Sequence, residues 1–503
     1  MYMAIYAERK HVNMSTLNLL GFDFGASSGR AMLGVFDGTK IEISELHRFS
    51  NDPVMLNGRF VWDVPRLFFE MKEALTKASK QGLKIDAIGI DTWGVDFGLL
   101  DKNGNLAGIP LHYRDAHTDG MMEKAYQIVP KEEIFAATGL AFMQFNTLYQ
   151  LLSLKLSGDP ALEIADKLLF MPDLLAYFLT GKIGTEYTIA STSQMLDPAT
   201  GDWAYDLLKK FDLPTHILTP IQPAGTVRGM LKEDICRECG MDSVPVIAIG
   251  SHDTASAVAA VPAKAGSTFA YISSGTWSLF GTELEKPLTT PDVMEANYTN
   301  EGGVLGDVRF LKNIMGLWII QECKREWDRR SDKVGFAQLV EMAEKAPAFK
   351  AVIDVDDPRF LAPGDMPQRI QQYCRDTNQP VPEGRGEISR VVYEGLALKY
   401  RWAIERMEEL TGKKFDVLHI VGGGSNNLML NRFTASAVRR PVITGPSEGT
   451  VIGNLLMQAK CLGAISSMDE LRACVAASFP TGTYLPEGDP AVWDAAYERL
   501  LKL

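Results

Sequence analysis

Hydrophobic and polar positions alternate over residues 17–48 in three short runs, LNLLGFDFG, RAMLGVF and IEISELHRF. The turn ASSG joins the first two runs, and Asp37-Gly38 joins the second and third. An Asp-Gly pair between alternating runs is a strong hairpin signal, so we expect three neighbouring antiparallel strands. The segment PRLFFEMKEALTKASKQG follows with apolar positions at helical spacing and ends at Gly82, which predicts an amphipathic helix.

Helix and strand patterns continue to the end of the chain. IDAIGIDTWGVDFGLLD predicts a buried strand, a tight loop and a second strand, and residues 120–220 are mostly helical in pattern. SVPVIAIGSHDTASAVAAV predicts a buried strand and a helix of small residues, and FAYISSGTWSLFG predicts a hairpin. Helices are expected over about 313–330 and 388–411, then the strand DVLHIVGGG and a helix from Asn426.

The two hairpins resemble each other, since GFDFGASSGRAML and AYISSGTWSLF both place a Ser/Gly turn between apolar strands. A chain of 503 residues also exceeds what one hydrophobic core accommodates. We therefore predict an α/β protein of two related domains, 17–261 and 262–503, preceded by a leader or extension at 1–16.

Composition and charge restrict the class of protein. Apolar residues make up 46% and charged residues 23%, as in ordinary globular proteins, and the net charge of −12 disfavours a nucleic-acid partner. No apolar run reaches 18 residues and no secretion signal is visible, so we expect no membrane partner. Six cysteines in this length favour a reducing cytoplasm. Cys236 and Cys239 have metal-site spacing but no second Cys pair, so we expect no zinc there.

The turn after the first strand has the residue types of a phosphate-binding loop. Its residues are Ala26, Ser27, Ser28, Gly29 and Arg30. Backbone N–H groups of such a turn can surround an anion, Arg30 can add a bidentate contact, and Asp23 just before it can hold Mg²⁺ through water. An ordinary hairpin turn is the alternative.

Two further turns offer similar chemistry. Ser273-Ser274-Gly275-Thr276 repeats the first turn, and Gly422-Gly423-Gly424 lets a flat or anionic ligand approach the backbone closely. Neither a Walker A motif nor G-x-G-x-x-G after a strand occurs, so the P-loop and Rossmann classes lose their signatures. The alternative for the glycine run is a sharp strand-to-helix turn.

Two segments have residues suited to an alcohol substrate. Asp253 follows a predicted strand and could accept a hydroxyl proton in phosphoryl transfer, or could merely cap the helix after it. A hydrolase is disfavoured because no nucleophile elbow G-x-S-x-G occurs. The loop of residues 91–98, DTWGVDFG, combines polar groups with an aromatic plane and suits a sugar, or is a buried tryptophan turn.

From about Leu17 to Leu485 the chain resembles the FGGY carbohydrate kinases, and within them most closely the rhamnulokinases. The segments that carry this resemblance, in order, are DFGASSGRAML, IDTWGVDFGLLD, FNTLYQL, SHDTASAV, YISSGTWSL, TNEGG, LKNIMGLW and LHIVGGG. The resemblance implies two ribonuclease-H-like domains of the actin/Hsp70/hexokinase type with a central cleft. The N-terminal domain would bind sugar and carry the first phosphate loop, and the C-terminal domain would bind the nucleotide.

The resemblance also implies roles for single residues. Asp253 is the expected catalytic base, and Asp23 is expected beside magnesium. The expected sugar contacts are Gly94, His252, Asp253, Thr254 and Asn313. The expected nucleotide contacts are Ala26, Ser27, Ser28, Gly29, Arg30, Thr276, Gln321 and Gly423.

The implied activity is ATP- and Mg²⁺-dependent phosphorylation of the C1 hydroxyl of L-rhamnulose, in L-rhamnose catabolism in the cytoplasm. The expected partners are therefore the sugar and ATP. Another ketose kinase of the family, such as an L-fuculokinase, is an alternative. A nucleotide-switched binding protein on the same fold is a second one, against which the Trp93-Gly94 loop and the Asp253 carboxylate argue.

Overall fold

The computed structural model describes residues 16–330 and 333–503. All of the predicted leader except Thr16 therefore lies outside the described residues. The chain forms two compact units, and neither is one continuous stretch. Unit 1 contains the residues up to Pro262 with Glu283–Phe310 and Gly449–Ser478, and unit 2 contains Ala263–Thr282, Leu311–Glu448 and Phe479–Leu503. None of the helices in the described part of the chain is long and apolar enough for a membrane span.

Unit 1 is built around a six-stranded sheet. The strands of the unit are β1 (Leu17–Phe24), β2 (Ser28–Phe36), β3 (Ile41–Ser50), β4 (Val54–Leu56), β5 (Arg59–Val61), β6 (Ala87–Thr92), β7 (Phe97–Leu100), β8 (Lys167–Phe170), β9 (Thr185–Glu186), β10 (Leu196–Asp197), β11 (Asp202–Trp203), β12 (Ile221–Gln222), β13 (Thr226–Met230), β14 (Pro245–Ala248) and β17 (Thr299–Gly302). The six strands of the main sheet lie in the order β13-β14-β6-β1-β2-β3.

Helices cover this sheet and form most of the region 120–220, as predicted. They are α1 (Val64–Lys80), α2 (Met121–Ile128), α3 (Lys131–Thr138), α4 (Thr147–Ser157), α5 (Pro160–Glu163), α6 (Met171–Thr180), α7 (Tyr187–Ala190), α8 (Tyr205–Lys210), α9 (Glu233–Cys239), α10 (Asp253–Ala259), α11 (Pro291–Glu295), α17 (Gly449–Cys461) and α18 (Met468–Ser478).

Strand register in the unit 1 sheet brings three loops to one edge. β1, β2 and β3 pair antiparallel, which confirms the predicted hairpins. β1 runs parallel to β6, and β6 runs parallel to β14. Because the carboxyl ends of parallel strands meet at one edge, the segments after β1, β6 and β14 lie side by side, where ligands of open α/β sheets bind.

The helix α17, from the second half of the chain, packs within unit 1. Gln458 donates from Nε2 to the Leu20 carbonyl oxygen at 3.1 Å, and Asn454 reaches Asp91. A Cβ atom at Gly453 would lie 1.8 Å from the Ser256 carbonyl oxygen, so only glycine permits this closeness of α17 and α10. Small residues and buried amides thus explain why residues 449–478 belong with unit 1.

Unit 2 has its own sheet, flanked by long helices. Its strands are β15 (Phe269–Ser274), β16 (Trp277–Leu284), β18 (Val308–Met315), β19 (Val417–Val421), β20 (Val442–Thr444) and β21 (Gly482–Tyr484). With β17 the sheet has seven strands, in the order β17-β18-β16-β15-β19-β20-β21. Its helices are α12 (Trp318–Arg329), α13 (Phe336–Glu344), α14 (Met366–Asp376), α15 (Gly384–Thr411), α16 (Leu428–Val438) and α19 (Pro490–Leu500). β17 pairs with β18, whose first three residues also belong to unit 1.

The predicted second hairpin is confirmed, because β15 and β16 pair antiparallel around Ser274. The prediction that a helix begins near residue 313 was wrong. Residues 313–315 continue β18, and the helix begins only at Trp318. Gly316 separates the two elements, and a Cβ atom there would lie 2.6 Å from the Trp277 carbonyl carbon. Asn313 therefore lies on a strand.

Candidate active site

Three aspartates lie at the carboxyl edge of the unit 1 sheet. The register of β1 and β6 sets Asp23 opposite Asp91. Thr92 donates its backbone N–H to the Ser251 carbonyl oxygen at 2.9 Å, which places the loop before Asp253 beside them. Burial and then the charge of Asp23 raise the pKa of Asp91 well above its usual range, and Asp253 raises it further. The ionisation of Asp91 therefore depends on both of the other carboxyl groups.

Asp91 is the fully buried carboxyl group of this edge. Its Oδ2 accepts from Asn454 Nδ2 at 2.6 Å, while its buried Oδ1 has no hydrogen-bond partner within 16–330 and 333–503. A carboxylate with a vacant oxygen beside Asp23 is the donor type that a hard divalent cation prefers. No group of three or more His, Cys, Asp or Glu side chains in the described ranges is arranged as a metal site. A cation here would thus need water or phosphate ligands as well.

The predicted phosphate turn is held by its neighbours. Gly25 donates its N–H to the Ser28 carbonyl oxygen at 2.9 Å, and Asn51 donates to the carbonyl oxygens of Gly25 and Ser27. Arg30 donates from Nε and Nη2 to Asp23 Oδ2 at 3.0 and 2.8 Å. The predicted phosphate-binding arginine and the predicted metal residue therefore form an ion pair with each other.

Asp253 is the first residue of α10, and His252 occupies the N-cap position. The alternative that Asp253 merely caps this helix is therefore wrong. Asp253 accepts from the hydroxyl of its neighbour Thr254 at 3.1 Å, and 34% of its side chain is exposed. Burial raises the pKa of its carboxyl group, His252 opposes this rise, and Asp23 adds to it. Asp253 is thus an accessible carboxylate with enhanced basicity.

A buried glutamate shapes the loop before Asp253. Glu186 accepts from the backbone N–H of Ser251 at 3.1 Å and from the Thr188 hydroxyl at 2.6 Å. Thr188 Oγ1 in turn accepts the backbone N–H of His252 at 3.2 Å. Burial raises the pKa of Glu186 to about 7. Nothing in the sequence pattern indicated this residue, because the contact joins segments 65 residues apart.

The loop around Gly94 is strained and tightly held. Val95 has a φ of +69°, which is unfavourable for a β-branched residue. Its N–H donates to Thr192 Oγ1 at 3.0 Å, and its carbonyl oxygen accepts from the Thr147 hydroxyl at 2.7 Å. A Cβ atom at Gly94 would lie 3.1 Å from Thr192. Backbone strain of this kind concentrates at functional sites, so this loop is a candidate for substrate contact.

Asp96 anchors the aromatic residues beside this loop. Its Oδ2 accepts the indole N–H groups of Trp62 at 2.6 Å and Trp93 at 3.0 Å, and its Oδ1 accepts from Gln150 at 3.0 Å. The two indole rings pack at a centroid distance of 4.0 Å, and Trp93 is buried, as in the alternative of a buried tryptophan turn. Burial raises the pKa of Asp96 to about 6 despite these donors.

Unit 2 brings its predicted nucleotide residues to one sheet edge. β15 and β19 run parallel with Ser273 opposite Val421, so the turn at Thr276 and the glycine run share this edge. Thr276 donates its hydroxyl to Gln321 Oε1 at 3.4 Å. A Cβ atom at Gly424 would lie 1.9 Å from Ser274 Oγ, whereas one at Gly423 would meet nothing within 4 Å. The open side of Gly423 is therefore where a ligand can approach the backbone.

Matches to known proteins cover both units. The model of the FGGY family of carbohydrate kinases, N-terminal domain, matches residues 18–260, and that of the C-terminal domain matches residues 270–462. The rhamnulokinase of Bacteroides thetaiotaomicron is 44% identical over 480 residues, 95% of this chain and 98% of that protein. The rhamnulokinase of Oceanobacillus iheyensis is 42% identical over 92% of this chain and 97% of that protein.

A solved structure supports the fold independently of sequence identity. The gluconate kinase from Lactobacillus acidophilus superimposes with a TM-score of 0.79 at 18% identity, covering 97% of each chain. This likeness confirms the predicted two-domain α/β kinase fold. Together with the matched family models and the full-length relatives, it establishes that this chain belongs to the FGGY family of carbohydrate kinases.

Proposed function

We propose that this protein transfers the γ-phosphoryl group of ATP to the C1 hydroxyl of L-rhamnulose, giving L-rhamnulose 1-phosphate in L-rhamnose catabolism. Relatives that match nearly the whole chain and have the name rhamnulokinase support this substrate. The single observation that carries the chemistry is Asp253, an accessible carboxylate of raised pKa at the carboxyl edge of the unit 1 sheet. Six free cysteines among the described residues support a cytoplasmic location.

In the proposed step the C1 oxygen of the sugar attacks the γ-phosphorus. The bond from that phosphorus to the β–γ bridging oxygen breaks, and ADP leaves with the bond's electron pair. The hydroxyl proton passes to an Oδ atom of Asp253, whose raised pKa strengthens it as an acceptor. Little covalent chemistry remains for the protein, so the other residues act by positioning and by charge.

For the sugar we propose contacts from Gly94, His252, Asp253, Thr254 and Asn313. Support comes from the strained backbone beside Gly94 and from His252, whose Nε2 lies 3.4 Å from Asp253 Oδ1. For the nucleotide we propose contacts from Thr276, Gln321, Gly423 and the turn Ala26, Ser27, Ser28, Gly29 and Arg30. The open approach to Gly423 and the Thr276–Gln321 contact support this part.

A divalent cation accompanies ATP in this family's reaction, and we propose that it is Mg²⁺ near Asp23. The unpartnered Oδ1 of Asp91 beside Asp23 supports a cation at this edge, with Asp91 as a second carboxylate. When bound, the cation would offset negative charge on the phosphates. Arg30, now paired with Asp23, would then be able to turn towards phosphate.

A ketose panel tests the proposal. The purified protein is supplied with Mg-ATP and L-rhamnulose, L-fuculose, D-xylulose, L-ribulose or glycerol, and ADP release is coupled to NADH oxidation. L-Rhamnulose is expected to give the highest kcat/KM, and phosphorus–carbon coupling in the product should locate the phosphate on C1.

The other outcomes distinguish the alternatives. A tenfold or greater preference for L-fuculose, D-xylulose or glycerol would assign another substrate within the family. ATP binding without sugar-dependent turnover on any ketose would favour a nucleotide-switched binding protein. Asp253→Asn serves as the negative control for each sugar.

A further inference from the structure

The motif TNEGG contains a buried charge that the proposed reaction step does not use. Glu301 lies in β17 with 7% of its side chain exposed, and Arg309 lies in β18 with 1% exposed. The Arg309 Nη2 atom is 3.1 Å from Glu301 Oε2, and Arg309 Nε donates to the Gly302 carbonyl oxygen at 2.8 Å. Both residues belong to unit 1. Burying two charges is costly, so this ion pair calls for a physical explanation.

Both charged groups reach the same side of one imidazole ring. His252 Nδ1 lies 3.1 Å from Arg309 Nη2 and 3.3 Å from Glu301 Oε2. The opposite ring nitrogen, Nε2, lies 3.4 Å from Asp253 Oδ1. The ring therefore stands between a buried ion pair and the proposed base, and its backbone is fixed separately by Thr188.

We propose that Glu301 and Arg309 are positioning residues that hold the His252 ring in one orientation against Asp253. This inference rests on the proposed function of Asp253 as the base. Arg309 Nη2 and Glu301 Oε2 both lie within 3.3 Å of His252 Nδ1, so either tautomer of the ring has a partner on this side. The two contacts fix the plane of the ring, and Nε2 faces Asp253. Glu301 cancels the guanidinium charge, so the pair adds no net charge behind the ring.

The charged groups around His252 come from three sides. Glu301 and Arg309 face it from β17 and β18, Asp253 faces it from α10, and Glu186 lies behind Thr188 near α7. Loss of the Glu301 charge would leave Arg309 uncompensated, and an uncompensated cation near Asp253 would weaken it as a proton acceptor. Loss of Arg309 would instead leave the buried Glu301 carboxylate uncompensated beside the ring. Either change should affect turnover through His252.

The test is a double-mutant cycle on the full-length protein, with L-rhamnulose and Mg-ATP as probes. E301Q is expected to lower kcat about 10- to 100-fold, the size of effect that misplaced reacting groups produce, with the KM for ATP within about twofold. In an H252Q background the same substitution should cost less than about threefold, because interacting residues are non-additive. E301D keeps the charge but shortens the side chain, and it should retain an intermediate kcat.

E70Q is the matched control. Glu70 is also a buried glutamate of unit 1 that contacts a histidine and an arginine, since it lies 2.5 Å from His47 Nε2 and pairs with Arg66. The E70Q substitution should leave kcat unchanged. If E70Q lowered kcat as much as E301Q does, the loss would be a general effect of removing a buried charge, and the inference would be overturned.

Two further outcomes would also overturn it. In the first, both E301Q and E301D have the wild-type kcat. In the second, E301Q lowers kcat by the same factor in the wild-type and H252Q backgrounds. If E301Q does not fold, E301D alone supplies the cycle. Absence of L-rhamnulose phosphorylation by the wild type would instead refute the proposed function, so the two failures are distinguishable.

Discussion

Replacing Asp253 by asparagine removes the proposed proton acceptor and preserves the size of the side chain. From the structure we expect one effect of this substitution on turnover and another on stability. Because Asp253 follows the N-cap and caps no helix, the substitution removes no capping hydrogen bond. Any loss of activity in a folded variant therefore reports on chemistry.

The expected loss of turnover follows from the role of a positioned base. Such a group contributes about 10²–10⁴-fold to the rate, which is about 2.7–5.5 kcal/mol of the barrier. Affinities for sugar and ATP should change much less, because the proton is transferred only in the chemical step. The amide group of asparagine offers both a donor and an acceptor to His252 Nε2, so this contact is retained.

The stability of Asp253→Asn should not fall, and it should rise at neutral pH. The folded protein holds this carboxyl group at a raised pKa, so its ionisation opposes folding once the pH exceeds its ordinary pKa. The negative charge also raises the pKa of Asp91, and its removal relieves that repulsion. A less active and more stable variant is typical of an active-site carboxylate.

The assay measures the rate of ADP release and the midpoint of urea denaturation on the same preparation. Asp469→Asn is the matched control, since Asp469 is an exposed aspartate in the first turn of α18. It should change neither kcat nor the urea midpoint. A folded Asp253→Asn protein with a kcat within about threefold of wild type would refute the role of Asp253 as base.

Three further predictions concern the glycine run, Asp96 and the cysteine pair. Gly423→Ala should fold normally and raise the KM for ATP, whereas Gly424→Ala should lower the midpoint of urea denaturation. The reason is that only a Cβ atom at residue 424 meets Ser274. Equal urea midpoints for the two variants would contradict this prediction. Since burial raises the pKa of Asp96 from 3.8 to about 6, the folded state binds its proton more tightly, and about 2 kcal/mol of stability should be lost as the pH rises from 4 to 6. Asp96→Asn should lack that loss in urea titrations at both pH values. Finally, the double replacement of Cys236 and Cys239 by serine should retain activity, and elemental analysis of the wild type should find no stoichiometric zinc.

Local sequence signals predicted the hairpins and the strand ends well. The Asp37-Gly38 turn and the alternation around it determine β1 to β3, and the repeat of this pattern indicated β15 and β16. The error at residues 313–315 has a physical cause. Nearly every residue of β18 is buried, including polar ones, so its sequence shows no clear period and does not distinguish it from the start of α12.

The residues that arrange the candidate site were harder to predict, because their partners are distant in the chain. Glu186 is 65 residues from Ser251, and Arg309 is 57 residues from His252. Each is a buried charge in a segment that otherwise has the pattern of a protein interior. A charge in such a place needs a partner, so sequence can indicate that one exists but not which residue it is.

The helix α17 shows how much can be predicted from the need of buried polar groups for partners. Its residues are buried nearly all round, yet they include Asn454 and Gln458, which must find hydrogen-bond partners. Gly453, on the same helix, allows a backbone to approach to contact distance. These features predict a helix packed tightly against a surface that offers a buried polar group. In the structure that group is Asp91, so the helix that completes the core of unit 1 also orients a carboxylate of the candidate active site.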